Sequence, residues 1–211
     1  MVTGAPGHDE VPSKKRAVLA GAFSVFARQG YTRASIDGIA AAAGVSTRTI
    51  YNHFRDKAAL FQAVIQHSAA EVAAAQIAIM DHHLNAITDL EADLIAFGQA
   101  WLTPMTDYAD HRALVRQVNA EAGHIPQPAI DAWQEAGPGR VRDELAGHFQ
   151  RWADQGLLEV DDTDRAALHF ALLISTPDPA YRGTVRDEAQ VAEAVAAGVH
   201  AFLHGYAAKL T

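Results

Sequence analysis

The residues with the clearest chemical signal in this chain lie between Thr47 and His53. Ile50 and Phe54 are four positions apart and predict the buried face of a short helix. The remaining side chains then face outward and carry hydroxyl, guanidinium, amide and imidazole groups but no carboxylate: Thr47, Arg48, Thr49, Tyr51, Asn52 and His53. Such a set can hydrogen-bond to phosphate oxygens and to base edges in a groove of DNA.

The residues before this helix predict a second short helix that positions it. Ser35 stands before apolar residues at helical spacing and can cap their helix, as Ser46 can cap the outward-facing one. Gly44 can adopt the left-handed conformation that ends a helix, and Val45 can fill the corner. The order is that of a helix-turn-helix, although the spacing alone also fits two ordinary surface helices with a polar face.

The residue identities favour the helix-turn-helix because they resemble the N-terminal pattern of the TetR (tetracycline-repressor) family. That pattern, roughly G-[YF]-x-x-[TA]-S-[IVM]-x-x-I-A-x-x-A-G-V-S-x-x-T-[IL]-Y-x-[HY]-F-x-x-K-x-x-L, is matched by Gly30, Tyr31, Ala34, Ser35, Ile36, Ile39, Ala40, Ala43, Gly44, Val45, Ser46, Thr49, Ile50, Tyr51, His53, Phe54, Lys57 and Leu60. Ala34 replaces the more usual threonine, and Ala58 stands where an acid often follows the lysine. The resemblance implies a homodimeric regulator, most often a repressor, that binds a palindromic double-stranded DNA operator and is released by a small-molecule effector.

The residue types divide the expected DNA contacts into two groups. Arg48 is the leading candidate for base contact because a guanidinium pairs bidentately with guanine, and Thr47 and Asn52 come next. Phosphate contacts are predicted for the remaining donors around the motif: Lys14, Lys15, Thr49, Tyr51, His53 and Lys57. Lys57 gains support from the positive end of the helix that it begins. For the lysines of the first helix, a solvated basic turn is the alternative.

The charge distribution supports a DNA partner even though the chain carries a net charge of −8. Residues 1–57 hold a balance of +4, and the remainder holds −12. A basic head on an acidic body is typical of a DNA-binding domain joined to a separate regulatory domain.

The composition predicts an all-α protein of about nine or ten helices. Of the 211 residues, 49% are hydrophobic and 20% are charged, and period-two runs of β-branched residues are absent. The predicted organisation is a disordered segment at 1–12, a helix-turn-helix domain at 13–58 and a helical regulatory and dimerisation domain at 59–211. Ser13 is expected to cap the first helix, which Gly30 ends. Asp56 is expected to cap a long fourth helix that runs to about Met80 and joins the two domains.

Cysteine is absent, which excludes disulfides and thiolate metal sites. The first eleven residues lack the apolar core of a signal peptide. No stretch was expected to provide the roughly 20 apolar residues of a membrane span. These features predict a cytoplasmic protein.

The rest of the chain predicts further amphipathic helices. They are expected at 85–103, 108–122 and 129–135, then from Val141 to a stop at Gly156, at 163–175 behind Asp162, and from Thr184, which forms a capping-box-like start with Asp187. Gly137-Pro138-Gly139 is predicted to be a loop. Residues 112–156, together with the following Leu-Leu-Glu-Val-Asp-Asp segment, resemble the AefR-type C-terminal domain of the TetR family.

The resemblance implies an effector pocket in the C-terminal part of the chain. Aromatic walls with a few convergent polar groups would suit a drug-sized or aromatic ligand, and the candidates are Phe97, Trp101, Tyr108, Arg112, Arg116, Asn119, Phe149, Trp152 and His169. Arg116 and Asn119 form a polar pair in the middle of a helix and are the stronger ones. Each aromatic residue could instead belong to the core.

The resemblance also implies that the last two helices form half of a four-helix dimer interface. The apolar stripe assigned to that interface comprises Phe170, Leu173, Val191, Val195, Val199, Phe202 and Tyr206. An intramolecular core is the alternative for the same residues.

The rival class is an enzyme or a metal-binding helical protein, including a metal-sensing regulator. Eleven histidines invite it, with His82 and His83 adjacent and Glu121 three residues before His124. A helical di-iron site needs a second such pair, and the chain has no second copy. No common catalytic motif occurs either. The sequence therefore predicts no catalytic residue, no metal and no cofactor. A helix-turn-helix used only for protein contacts is a third possibility.

Overall fold

The computed structural model describes residues 10–103, 108–175 and 187–206. The regular elements in these ranges are helices, which confirms the predicted all-α fold. They are α1 (Glu10–Arg33), α2 (Ile36–Ala43), α3 (Thr47–His53), α4 (Lys57–Leu84), α5 (Leu90–Leu102), α6 (Ala109–Ala120), α7 (Gln127–Gln134), a π-helical turn (Glu135–Gly139), α8 (Arg140–Asp154), α9 (Thr163–Ser175) and α10 (Glu188–Tyr206).

The described residues form two compact units. The first contains those of Met1–Val72 and Met105–Pro138, and the second those of Ala73–Pro104 and Gly139–Thr211. This division differs from the boundary proposed after residue 58, because α6 and α7 belong with the helix-turn-helix. Leu114 and Val118 of α6 share a hydrophobic core with Phe26 of α1 and Ile50 of α3. Burial of apolar surface therefore unites segments that are far apart in sequence.

The first helix starts earlier than predicted. Because α1 begins at Glu10, residues 10–12 are helical rather than disordered, and Ser13 lies inside the helix rather than at its cap. Residues 1–9 lie outside the described residues. Gly30 interrupts the helical conformation as expected, with φ 78° and ψ −179°, a region that only glycine adopts readily.

The fourth helix extends one turn beyond its predicted end and contributes to both units. By length and composition, α4 is long and apolar enough to cross a membrane. The sequence was expected to contain no such stretch. Its buried residues belong to protein cores, however: Leu60 and Phe61 lie in the core of the first unit and Met80 in that of the second. A helix that is buried in protein cores can be as long and as apolar as one that spans a membrane.

The second unit is built around four phenylalanine rings from four helices. Phe170 stacks on Phe97 with ring centroids 5.9 Å apart, and it meets Phe149 and Phe202 edge-on at 5.7 and 5.3 Å. All four side chains have zero solvent exposure. The pocket role predicted for Phe97 and Phe149 and the dimer role predicted for Phe170 and Phe202 are therefore corrected, since these rings pack within one protomer.

Other members of the predicted dimer stripe are also buried within the protomer. Val195 and Val199 of α10 have zero exposure. Val195 lies so close to Gly98 of α5 that a side chain at that glycine would collide with it. The intramolecular alternative is correct for these two residues, because a side chain without exposed surface cannot contact a second copy.

The start of α9 agrees with the prediction because its capping residue was recognised. Asp162 caps α9 by accepting the Arg165 N–H at 2.9 Å, and α9 spans the predicted 163–175. The fifth helix starts at Leu90 instead of residue 85, because Asp89 caps it by accepting the Ala92 N–H at 3.0 Å. The predicted loop at Gly137-Pro138-Gly139 is instead a π-helical turn that leads directly into α8.

The last helix begins later in the described structure than the sequence suggested. Asp187 is the cap of α10 rather than a residue of its first turn. Its carboxylate accepts the Gln190 N–H at 2.8 Å, while the Gln190 side chain accepts the Asp187 N–H at 3.1 Å. This reciprocal pair is a capping box. The predicted cap at Thr184 lies outside the described residues.

Candidate nucleic-acid interface

The second and third helices form the predicted helix-turn-helix, and their caps define the turn. Ser35 Oγ accepts the Gly38 N–H at 3.1 Å, and Ser46 Oγ accepts the Thr49 N–H at 3.2 Å. Gly44 has the left-handed conformation at φ 66° and ψ 33°, and the Val45 N–H reaches back to the Ala40 carbonyl at 3.0 Å. The serine caps and the glycine turn predicted from the sequence are therefore the interactions that orient α3 relative to α2.

The third helix presents a polar face without a carboxylate. Ile50 is fully buried and Phe54 is 7% exposed, so this side of α3 packs into the core of the first unit. Arg48 and Asn52 are exposed, and Tyr51 is 55% exposed although it is aromatic. The arrangement can place a guanidinium, an amide and a phenol against an acidic, hydrogen-bonding surface such as a DNA groove.

The other predicted contact residues of α3 are less accessible. Thr47, Thr49 and His53 are half-buried. The Thr49 hydroxyl lies 2.9 Å from Ser46 Oγ and so takes part in the cap. The His53 ring lies against Phe54 with centroids 6.5 Å apart.

Three basic side chains are exposed near the start of α1, and one of them lies close to the end of α3. Lys14, Lys15 and Arg16 are exposed. Lys15 Nζ is 6.0 Å from the centroid of the Phe54 ring, at the end of α3. Tertiary structure therefore brings at least one cation of the first helix, Lys15, close to the end of α3.

Lys57 has a different role from the phosphate contact that the sequence suggested. Its ammonium group donates to the carbonyl oxygens of Tyr31, Thr32 and Ala34 at 3.0, 3.4 and 3.1 Å. It also lies 4.6 Å from the centroid of the Tyr31 ring. An ammonium group has three donors, and here all three are used within the protein. We therefore replace the phosphate role of Lys57 with a structural one, in which it binds the start of α4 to the last turn of α1 and to Ala34 just after it.

Arg55 is a candidate that the sequence analysis missed. Its side chain is 86% exposed, and its Nε lies 2.9 Å from the Asp56 carboxylate. Asp56 is the predicted cap of α4 and accepts the Ala59 N–H at 2.8 Å. This backbone hydrogen bond, with help from Arg55, lowers the pKa of the Asp56 carboxyl. The sequence does contain a signal for Arg55, since it is a cation directly after α3. It stands at a position that the family pattern leaves unspecified.

The residues predicted to line an effector pocket fall into both units. Tyr108 is half-buried at the start of α6, and Arg112, Arg116 and Asn119 are exposed on that helix in the first unit. The second unit contains the other five: Phe97, Trp101, Phe149, Trp152 and His169. Trp152 is 3% exposed, and exposed His169 lies 2.7 Å from the Tyr206 hydroxyl through Nδ1. The polar members on α6 remain candidates for ligand contact.

A capped helix-turn-helix with a polar, carboxylate-free recognition face, followed by a helical domain, is the architecture of a bacterial transcription regulator. Comparisons with known families agree with this class. Residues 18–64 match the family described as bacterial regulatory proteins, tetR family, and residues 92–208 match the AefR-like transcriptional repressor, C-terminal domain. Because the second match covers more than half of the 211 residues, the chain belongs to the TetR family, with a C-terminal domain of the AefR-like type.

Known structures and one characterised relative are consistent with this assignment. A TetR-family transcriptional regulator of Mesorhizobium loti is 28% identical, covers 95% of this chain and 100% of its own, and superposes with a TM-score of 0.80. The Flavonoid-responsive Regulator FrrA is 27% identical over 94% of this chain and 100% of its own, with a TM-score of 0.72. An HTH-type transcriptional repressor of Mycobacterium tuberculosis is 38% identical over 66 residues, which are 31% of this chain and 35% of that protein. The chain thus matches about a third of that relative's length.

Proposed function

We propose that this TetR-family regulator represses transcription by binding a palindromic operator as a homodimer, and that a small-molecule effector releases it. The observation that carries the proposal is the exposed face of α3, which presents Arg48, Tyr51 and Asn52 to solvent. The opposite face of this capped helix is buried. Two such helices related by two-fold symmetry can enter successive major grooves. A role on DNA also implies the cytoplasm and requires no catalysis.

The contacts proposed at each half-site follow from exposure and residue type. Arg48 is the main base contact, with Thr47 and Asn52 beside it. Phosphate contacts come from side chains around it: Lys14, Lys15, Thr49, Tyr51 and His53. Arg55 adds an exposed cation to this set. Lys57 is left out, because its ammonium is already bound to three carbonyl groups.

The direct test measures binding to the DNA that flanks the protein's own coding sequence, at two salt concentrations. We expect affinity to fall with salt because phosphate contacts release counterions. Arg48→Ala should cost about 1–3 kcal/mol on the best site and relax the choice of base at one position. Arg140→Ala removes an exposed arginine at the start of α8 and serves as the matched control. Failure to bind these flanks or pooled genomic fragments would contradict the proposal.

The dimer interface is proposed on the exposed side of the last two helices. Leu168, Leu172 and Leu173 of α9 are 44%, 58% and 39% exposed, which is unusual for leucine. Exposed Ala197 and Ala201 on α10 would permit close helix approach. Of the stripe predicted from the sequence, Leu173 is retained, with half-buried Val191 and Tyr206 at the margin of the proposed face.

The effector is proposed to be an aromatic small molecule, and two kinds of support favour this class. Arg116 and Asn119 form an exposed polar pair on α6, and the aromatic side chain of half-buried Tyr108 stands at the start of the same helix. One structural relative is named for its response to flavonoids. Flavonoids and related aromatic compounds are therefore the first to be tested for release of the protein from its operator.

Release by an effector requires a difference in affinity between two states. A shift from mostly bound to mostly free protein requires several kcal/mol of differential affinity for the free form. Titration of each compound against free and DNA-bound protein measures that difference directly. Arg116→Ala should weaken the response without changing operator affinity. A compound that binds both forms equally would refute release by that compound.

A further inference from the structure

Two acidic residues and a histidine come together within the second unit. Glu144 and His148 are four positions apart on α8 and so share one face of the helix. Asp81 comes from the last part of α4. One ligand atom from each of the three residues lies within 4.8 Å of the others. His148 Nε2 and Asp81 Oδ1 lie 3.5 Å apart.

His148 is buried in a way that requires an explanation. Its side chain has zero exposure, yet neither ring nitrogen has a hydrogen-bond partner among the residues that the structure describes. The distance to Asp81 is too long for a well-formed hydrogen bond. A buried polar group without a partner is destabilising, so an ion or a bound water is expected where one persists.

We propose that Asp81, Glu144 and His148 bind one divalent transition-metal ion of the Zn²⁺ type. Imidazole nitrogen and carboxylate oxygen are ordinary ligands of zinc, and three protein ligands leave a fourth position for water or another small ligand. Two carboxylates would balance the double charge of the ion. The absence of cysteine from the chain does not weaken this site, which needs no thiolate.

The geometry of the cluster is close to that of a bound site. Two ligand atoms at zinc distances of about 2.0–2.2 Å in a tetrahedral site are roughly 3.3–3.6 Å apart. The separation between His148 and Asp81 is 3.5 Å. The Glu144 carboxylate lies within 4.8 Å of both, and its side chain is only half-buried.

This cluster differs from the histidines that the sequence singled out. Glu121 is bound to Thr32 through its carboxylate, and His124 is exposed. His82 and His83 contact each other edge-on with ring centroids 5.0 Å apart. His200 and His204 stack at 6.1 Å on the exposed side of α10. Spacing in sequence does not reveal this cluster, because its residues come from two helices that are distant along the chain.

The inference does not rest on the proposed function. A bound ion would join the end of α4 to α8 within the second unit, whatever the helix-turn-helix binds. Metal binding can be measured without DNA, so failure of one proposal leaves the other untouched.

The test uses the full chain without an affinity tag, in equilibrium dialysis against buffered Zn²⁺. We expect one tight site per chain. Asp81→Asn and Glu144→Gln should each weaken it by about 10–100-fold or more, the range seen when even outer partners of a metal site are lost. Asp143→Asn, an exposed neighbour with the same change in charge, should leave the affinity unchanged. Removing both His200 and His204 should also leave it unchanged.

Co²⁺ in place of Zn²⁺ gives a second readout, because its visible absorption reports coordination by nitrogen and oxygen. The spectrum of the wild type should be lost in Glu144→Gln, while millimolar Mg²⁺ should not displace the ion. Both amide variants are isosteric and alter partly exposed residues, and thermal unfolding without metal checks that they fold. Equal zinc affinity in all variants would assign binding to surface histidines. No tight site in the wild type would leave a bound water as the partner of His148. Either result overturns the proposal.

Discussion

Glu121, which follows α6, accepts two hydrogen bonds from Thr32, which lies between Gly30 and the start of α2. The Thr32 N–H and hydroxyl lie 2.8 and 3.1 Å from Glu121 Oε2, although 89 positions separate the residues in sequence. A side chain on Gly30 would collide with this carboxylate, so glycine is needed both for its positive φ and for the close approach. The segment leading into the helix-turn-helix is thus tied to a helix that carries candidate effector residues.

This link predicts the effect of removing the carboxylate. Glu121→Ala should lower the free energy of unfolding by about 1 kcal/mol, because partly exposed hydrogen bonds to a charged group are worth little more. Thr32→Val keeps the backbone hydrogen bond and should cost less. Urea denaturation measures both changes, and amide exchange at Thr32 should speed up only in Glu121→Ala. Unchanged exchange would show that the link does not hold this segment.

The environment of Lys57 predicts a change in stability rather than in DNA contacts. Lys57→Met removes three donors from carbonyl groups and should lower the free energy of unfolding by roughly 1–3 kcal/mol. Lys15→Met, at an exposed position, should leave stability unchanged and reduce the salt slope of DNA binding by about one. Thermal unfolding and affinity at two salt concentrations distinguish the variants. A reduced salt slope with normal stability in Lys57→Met would restore the phosphate contact.

The exposed leucines of α9 predict where a charge would separate a dimer. Leu172→Glu should shift the chain toward the monomer in sedimentation, because a carboxylate buried in an apolar interface loses its hydration. Ala78→Glu, at an exposed position on α4, adds the same charge elsewhere and is the control. Phe202→Ala, by contrast, should lower stability by about 3–5 kcal/mol, because it opens a cavity in the aromatic core. A dimer that survives Leu172→Glu would exclude this face.

The partly buried His111 predicts a dependence of stability on pH. Burial, followed by the charge of Arg112, lowers the pKa of this imidazole from 6.5, and Ser68 Oγ lies 2.8 Å from its Nδ1. Between the lowered pKa and 6.5, the unfolded chain binds more protons than the folded one. Its contribution to stability is therefore complete above pH 6.5 and is lost as the pH falls below that value. His111→Asn should reduce this slope in denaturation curves at several pH values, and an unchanged slope would contradict the assignment.

The local structure of the recognition motif could be predicted because its determinants are close together in sequence. Ser35, Gly44 and Ser46 act on backbone groups within a few residues, so their side-chain chemistry predicts each cap and turn. The start of α1 and the switch from the Pro138 loop to a π-helical turn were missed. For the first, the prediction took Ser13 as the cap, three residues inside the helix; in the second, a proline-glycine sequence is accommodated inside a continuous helix.

By itself, the sequence determined the helical class, the helix-turn-helix and the family, since these depend on periodicity, capping and residue identity along one stretch. Only the tertiary structure decided which apolar residues are core and which face outward. Phe202 is buried by rings from two other helices, whereas Leu173 is 39% exposed, although both belong to the apolar stripe predicted from the sequence. The tertiary structure also places Lys57 against carbonyl groups of residues 31–34 and Asp81 beside His148. Helical periodicity predicts which face of a helix a residue lies on. It does not predict which residues pack against that face, because they come from a distant part of the chain.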